Sequence, residues 1–146
     1  MCFGTRPALV TPFAAGRVDR ALFRDFVEWQ IDQGSNALVP CGTTGEAATL
    51  TTDEHRALIE ATVKVARGRV PIIAGCGSNN TAHAIELTRA AKEAGADAAL
   101  KVPPSYNRPH HDAIYTPLAA APAPGILVTP YIAPPPPVPS HRVPAL

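Results

Sequence analysis

Cysteine is scarce in this sequence, and the three cysteines form no recognisable pattern. Cys2, Cys41 and Cys76 are an odd number at wide spacings, with no Cys-x-x-Cys pair and no paired histidine spacing. Neither a disulfide framework nor a zinc site is indicated, so we expect no bound metal and no other cofactor. A reducing compartment such as the cytosol fits this cysteine content best.

Neither sign of charge dominates, since 13 Lys and Arg side chains stand against 12 Asp and Glu. No basic stripe is present to recruit a nucleic acid or an anionic membrane surface. No stretch approaches the roughly 18 apolar residues of a membrane span, and the N-terminus lacks the pattern of a secretory signal. We therefore expect a soluble, cytoplasmic protein that acts on small molecules or binds other proteins.

Short apolar runs alternate with longer amphipathic ones, which is typical of βα units around a parallel sheet. Strand centres fall near residues 9, 38, 72 and 100, at the spacing of about thirty residues expected for one strand and one return helix. Eight such units need about 250 residues. The sequence therefore predicts an α/β fold, a partial (β/α)8 TIM barrel of about four units over residues 1–115.

Three helices are predicted, over residues 19–33, 51–67 and 81–94. Asp19 and Thr51 suit the N-cap positions of the first two, and Gly34 and Gly95 suit the ends of the first and third. The first helix carries apolar residues mostly spaced at three and four, which we expect to form core: Leu22, Phe23, Phe26, Val27, Trp29 and Ile31.

The composition changes after about residue 116. Residues 117–146 contain ten of the seventeen prolines, no acidic residue and no lysine. Because proline removes backbone donors and clashes with a helical turn, residues 116–146 are predicted to be an irregular Pro-rich tail, with strand character only at Gly125–Thr129. The tail is either a natural polyproline linker or a natural segment that binds a partner, such as one with an SH3-like groove. The interpretation that we favour is the product of a truncated or frame-disrupted coding sequence.

Catalytic groups of a parallel βα fold gather in the loops that follow the strands. The loop after the second strand holds Gly42, Thr43, Thr44 and Gly45, whose backbone N–H groups and two hydroxyls suit the carboxylate of a small 2-oxo acid. The alternative is a tight turn with Ser/Thr-type side-chain bonds. Glu46 is predicted to be a buried hydrogen-bond acceptor for this loop.

Three further residue types are candidates for chemistry. Tyr106 lies between prolines in the fourth loop, where its hydroxyl suits proton transfer, although a packed tyrosine is the alternative. Lys101 lies near the carboxyl end of the fourth strand, where an imine-forming lysine can stand, but sequence drift or an orientation away from the barrel interior is favoured. His55 and His83 fall on helices and are expected to be exposed.

Four segments occur in an order and at spacings that resemble those of the dihydrodipicolinate synthase family. This family is part of the pyruvate-dependent lyase superfamily, which also includes N-acetylneuraminate lyase. These segments are Ala8–Phe13, Val39–Leu50, Ile73–Asn79 and Tyr106–Pro109. The resemblance covers about residues 4–115.

The resemblance implies a class I aldolase-type lyase of lysine biosynthesis. In the family a lysine forms a Schiff base with pyruvate, and the resulting enamine attacks aspartate semialdehyde. Thr44 would bind the pyruvate carboxylate, beside Gly42, and Thr43 would link two tyrosines in a proton relay. Tyr106 matches the relay tyrosine that, in the family's homotetramers, reaches into a neighbouring subunit.

The chain also departs from the family pattern. The Schiff-base lysine of the sixth strand has no counterpart, since no lysine follows Lys101. Tyr131 matches the second relay tyrosine only weakly. At the family's lysine-inhibition site, two residues match (His55 and Asn79) and three do not (Thr52, His83 and Ser105).

Two hypotheses follow from these features. The first is a truncated family member with little or no activity alone. The second is a small α/β anion-binding module that uses Gly42–Gly45 and a Pro-rich partner-binding tail.

Overall fold

The structure is a computed structural model, and it describes residues 4–101 and 126–130. Three helices are present, α1 (Arg20–Asp32), α2 (Thr52–Ala66) and α3 (Thr81–Glu93). A short hairpin precedes α1, and a 3-10 turn (Thr43–Gly45) precedes α2. The strands are β1 (Phe13–Ala14), β2 (Arg17–Val18), β3 (Ile73–Gly75), β4 (Ala98–Lys101) and β5 (Leu127–Pro130).

The main sheet consists of parallel segments in chain order. β3, β4 and β5 pair side by side, with Gly75 opposite Leu100 in the β3–β4 register. Two earlier segments extend the sheet, the first at Ala8 and the second at Leu38–Val39. Single parallel bridges join Ala8 to Val39 and Leu38 to Ile72. Consecutive parallel neighbours are the order in which a barrel winds, so the predicted α/β architecture is confirmed over these five segments.

The helices cover one face of this sheet. The core is formed by helix residues together with sheet residues that point towards them, and its largest buried members include Phe23, Leu9, Leu38, Leu58 and Ile59. The opposite face of the sheet is concave and carries the cleft described below. Among the described residues no helix is long and apolar enough to cross a bilayer.

Side-chain caps explain where the helices begin. The Asp19 carboxylate accepts hydrogen bonds from the amides of Ala21 and Leu22 at 3.1 and 3.0 Å. Thr51 and Glu54 form a reciprocal capping box at the start of α2. The three predicted helices are therefore confirmed to within one or two residues, and Asn80 caps α3.

Two local expectations for the start of the chain need correction. The hairpin of β1 and β2 was not predicted; its turn residues Ala15 and Gly16 have φ of 48° and 75°, the left-handed pair that two-residue hairpins favour. On α1 only one apolar stripe can face the core, so Leu22 and Trp29 are 54% and 53% exposed instead of buried. The Trp29 ring stacks on Phe26 with centroids 6.1 Å apart.

The strand predicted near Gly125–Thr129 in the Pro-rich tail is present. β5 forms at Leu127–Pro130 and pairs with β4, which confirms the strand character expected there. The run Leu127–Thr129 has strand propensity, and Pro130 is tolerated because it ends a strand that pairs only with β4 within the described residues. Residues 102–125 and 131–146, which include the predicted domain boundary near 115, lie outside the described residues.

Candidate functional site

A cleft of about 1040 Å³ occupies the concave face of the sheet. Its floor is formed by one inward residue from each of the first four strand segments: Ala8, Val39, Ile73 and Leu100. Its rim is formed by the loops that follow the second and third segments, and the predicted residues Gly42, Thr43 and Thr44 all line it. The structure therefore places these three candidate residues at the strand ends, where a barrel carries its chemistry.

Backbone hydrogen bonds close the turn at Thr43–Gly45. The amide of Gly45 donates to the Gly42 carbonyl at 3.0 Å, and the amide of Glu46 donates to the Thr43 carbonyl at 3.1 Å. Cys41 and Glu46, one on each side, both have a φ of 55°, which is left-handed and rare for residues with a side chain. Such conformations persist only where the surroundings fix them, so the turn is held from outside.

Close backbone approaches supply this constraint. A Cβ on Gly45 would lie 2.8 Å from the carbonyl oxygen of Leu9, and a Cβ on Gly75 would collide with the Cys41 carbonyl. The backbone of the turn and of the residues just before it thus packs closely against the first segment on one side and against β3 on the other. Gly45 was predicted from its motif, whereas the role of Gly75 as a contact point was not predicted.

The side chains of Thr43 and Thr44 are presented to the cleft. Both residues are exposed, and neither their hydroxyls nor their amides are bonded to any group in the described ranges. Each hydroxyl can donate one hydrogen bond and accept two. Glu46 is exposed as well, so the prediction of a buried acceptor was wrong; its backbone carbonyl, not its carboxylate, accepts the bond from Thr49.

His55 lies at the edge of the cleft and is buried, with 3% exposure, which contradicts the expectation of a surface histidine. Its Nε2 lies 2.8 Å from the Gly75 carbonyl oxygen, and since a carbonyl only accepts, Nε2 carries the proton. Burial lowers the pKa of His55, an effect larger than the opposing one of the Gly75 bond. A neutral His55 therefore ties α2 to the end of β3. His83 is half-buried, with Nδ1 3.3 Å from the Ser78 hydroxyl.

The two cysteines in the described residues are buried free thiols. Cys41 donates to the His55 carbonyl and Cys76 to the Leu87 carbonyl, each at 3.7 Å. Burial raises the pKa of both thiols to about 12. Neither is therefore a nucleophile at neutral pH. Across residues 4–101 and 126–130 no three His, Cys, Asp or Glu side chains are arranged to hold a metal ion.

Lys101 does not face the cleft. Leu100 lines the cleft, and because successive strand residues point to opposite faces, Lys101 points towards the helical layer. Its side chain is 5% exposed, and Nζ finds no hydrogen-bond partner among the described residues. Burial lowers the pKa of this amine. The structure thus does not bring Lys101 to Thr43 and Thr44; Tyr106 and Tyr131 lie outside the described residues.

Comparison with known proteins gives consistent matches. A model of the dihydrodipicolinate synthetase family matches residues 2–121. The 4-hydroxy-tetrahydrodipicolinate synthase of Nitratidesulfovibrio vulgaris strain DP4 is 59% identical over 112 residues, which is 77% of this chain and 38% of that protein. The synthase of Rhizorhabdus wittichii is 59% identical over 114 residues, covering 78% of this chain and 39% of its own length.

Solved structures agree with these relatives. The crystal structure of the chloride-inhibited dihydrodipicolinate synthase from Acinetobacter baumannii, complexed with pyruvate, matches with a TM-score of 0.86 and 46% identity. This match covers 92% of this chain and 47% of that one. The chain therefore spans about two fifths of the length of the curated relatives and just under half of that solved chain.

Proposed function

Since the chain belongs to the dihydrodipicolinate synthetase family, we propose that its cleft holds the carboxylate of pyruvate against Thr43 and Thr44. In the complete enzyme, a homotetramer by resemblance, the bound pyruvate condenses with aspartate semialdehyde to give 4-hydroxy-tetrahydrodipicolinate in lysine biosynthesis. The observation that carries the proposal is the pair of unbonded hydroxyls on a turn that its neighbours hold rigidly at the rim of the cleft.

Each residue of the turn has a distinct part in this binding. Thr44 donates its hydroxyl and amide hydrogens to one carboxylate, and such bonds to a charged acceptor are stronger than neutral ones. The hydroxyl of Thr43 both accepts and donates, so it can pass a proton towards a relay partner, for which Tyr106 is the candidate. Gly42 has no side chain and leaves the carboxylate room to approach the backbone.

The covalent step requires an amine beside the keto carbon of pyruvate, and the described residues place none there. Lys101 faces the helical layer, and no lysine follows it in the sequence. We therefore propose that this chain alone binds pyruvate reversibly and turns it over little or not at all. An anion-binding module would use the same turn, but the family match over residues 2–121 favours the synthase.

Titration with pyruvate, followed by NMR of the backbone amides, tests the site. We expect shifts at Thr43, Thr44 and Gly45, and about tenfold weaker binding by Thr44→Val, because one hydrogen bond to a charged group is lost. Thr81→Val is the matched control, since Thr81 is exposed on α3 and does not line the cleft. Unchanged affinity in Thr44→Val, or no shifts in the unsubstituted chain, would rule out the proposed site.

A further inference from the structure

Thr11 lies beneath the proposed pyruvate-binding turn and is 7% exposed. It follows the first strand segment and precedes Pro12, which restricts the backbone of Thr11 to extended conformations. Its hydroxyl donates a buried hydrogen bond to the Gly45 carbonyl, with Oγ1 and the carbonyl oxygen 2.7 Å apart. This bond joins two positions 34 residues apart in the sequence.

The bond acts on the peptide unit that closes the turn. The Gly45 carbonyl and the Glu46 amide belong to one planar unit, in which the C=O and N–H point in opposite directions. The oxygen is bonded to Thr11, and the N–H is bonded to the Thr43 carbonyl at 3.1 Å. Fixing one end of this unit therefore fixes the direction of the other.

Gly45 makes this bond possible because it has no side chain. A Cβ at that position would lie 2.8 Å from the Leu9 carbonyl oxygen and 3.4 Å from Thr11 Oγ1. The turn therefore approaches the first segment too closely for a side chain at position 45 to fit without a shift. This approach and the Thr11 hydrogen bond both join the turn to the first segment.

We propose that Thr11 is a positioning residue for the pyruvate-binding turn. Its hydroxyl sets the orientation of the Gly45–Glu46 peptide and, through the Glu46 amide, the place of Thr43 and Thr44 at the rim of the cleft. The consequence for pyruvate rests on the proposed function; the consequence for the turn itself does not.

Amide hydrogen exchange of the unliganded chain is the first measurement. Thr11→Val keeps the shape of the side chain and removes the hydroxyl, so we expect the Glu46 amide to exchange about 3- to 10-fold faster. Thr11→Ser keeps the hydroxyl and should restore slow exchange. Thr62→Val is the matched control, since Thr62 is fully buried and its hydroxyl bonds the Leu58 carbonyl of its own helix at 2.8 Å.

The result that overturns the inference is equal exchange at Glu46 in Thr11→Val and Thr62→Val, or a Thr11→Ser variant that behaves like Thr11→Val. A second measurement needs no variant to fold: in the unsubstituted chain, the Thr11 hydroxyl proton should be protected from water and close to Gly45 and Glu46 by NMR. A Thr11 hydroxyl proton that exchanges rapidly with water would also overturn the inference.

Pyruvate titration then separates this inference from the proposed function. If both hold, Thr11→Val binds pyruvate about 3- to 10-fold more weakly and Thr11→Ser binds normally. If the unsubstituted chain binds no pyruvate while the exchange pattern holds, the proposed function fails and the positioning role stands. If pyruvate binds equally well to Thr11→Val despite faster exchange at Glu46, the turn does not need Thr11 for binding and the inference fails.

Discussion

At the scale of single residues, Lys101 carries a buried amine for which the described residues offer no partner. Burial disfavours the charged form and lowers the pKa of the folded-state amine below its ordinary value of 10.5. Folding therefore releases a proton at pH values between the folded-state and the unfolded-state pKa, where the amine is charged only in the unfolded chain. The resulting penalty is greatest below the folded-state pKa, and it disappears as the pH rises past the unfolded-state pKa.

Replacing this amine with an apolar side chain of similar length should stabilise the protein. We expect Lys101→Met to raise the free energy of unfolding by about 1–3 kcal/mol at neutral pH, since it removes an unsatisfied buried polar group. The gain should shrink at alkaline pH near the ordinary lysine pKa. Urea denaturation at neutral pH and at a pH near the ordinary lysine pKa measures this gain in the free energy of unfolding. Lys64→Met is the control, because it removes a lysine whose side chain is 76% exposed. A loss of stability, or an equal gain in both variants, would contradict this account.

Residue type and spacing predicted where the turn residues lie, but they did not predict correctly which side chains are buried. Gly42, Thr43 and Thr44 line the cleft as the loop position predicts, because strand ends determine where loops lie. The burial of His55 and the exposure of Glu46 were mispredicted. Both depend on contacts between distant segments, such as the bond of His55 to the Gly75 carbonyl, and no local pattern specifies such contacts.

At the scale of elements, α2 ends on a residue in a conformation that favours glycine. Arg67 has φ 50° and ψ 35°, and its amide donates to the Val63 carbonyl at 3.0 Å. A left-handed residue with a Cβ costs about 1–2 kcal/mol, and glycine avoids this cost. Since glycine also loses more backbone entropy on folding, we expect Arg67→Gly to raise the free energy of unfolding by about 0.5–1 kcal/mol.

Chemical denaturation of three chains checks the prediction for Arg67. Arg67→Ala removes the same charge and keeps the Cβ, so it should show no gain. Equal stability of the glycine and alanine variants would mean that the charge of Arg67, and not its backbone conformation, sets its contribution.

Element boundaries followed from the sequence wherever a cap determined them. Asp19 and Thr51 were identified as caps because their side chains reach the first free amides of a helix, a local interaction. The β1–β2 hairpin was missed because Ala15 is an uncommon residue for the left-handed turn that it adopts beside Gly16.

At the scale of the whole molecule, the parallel order of the five sheet segments was predictable from the repeat of strands and helices. Whether the edges of the sheet are covered was not predictable, because that depends on contacts beyond any repeat unit. Two large apolar residues lie near opposite ends of the described sheet, Val10 at 49% exposure and Leu127 at 69% exposure. Within the described residues, β5 pairs with β4 alone.

An edge strand with an exposed leucine is a template for pairing with another chain. We therefore expect size-exclusion chromatography to show association that increases with protein concentration. Leu127→Lys should shift the chain towards the monomer, because a charge on an edge strand disfavours strand pairing. Leu22→Lys is the matched control, since Leu22 is 54% exposed but lies on α1. If the two lysine variants associate equally, general surface hydrophobicity and not the β5 edge drives the association; a monomer at every concentration would show that this edge is already protected.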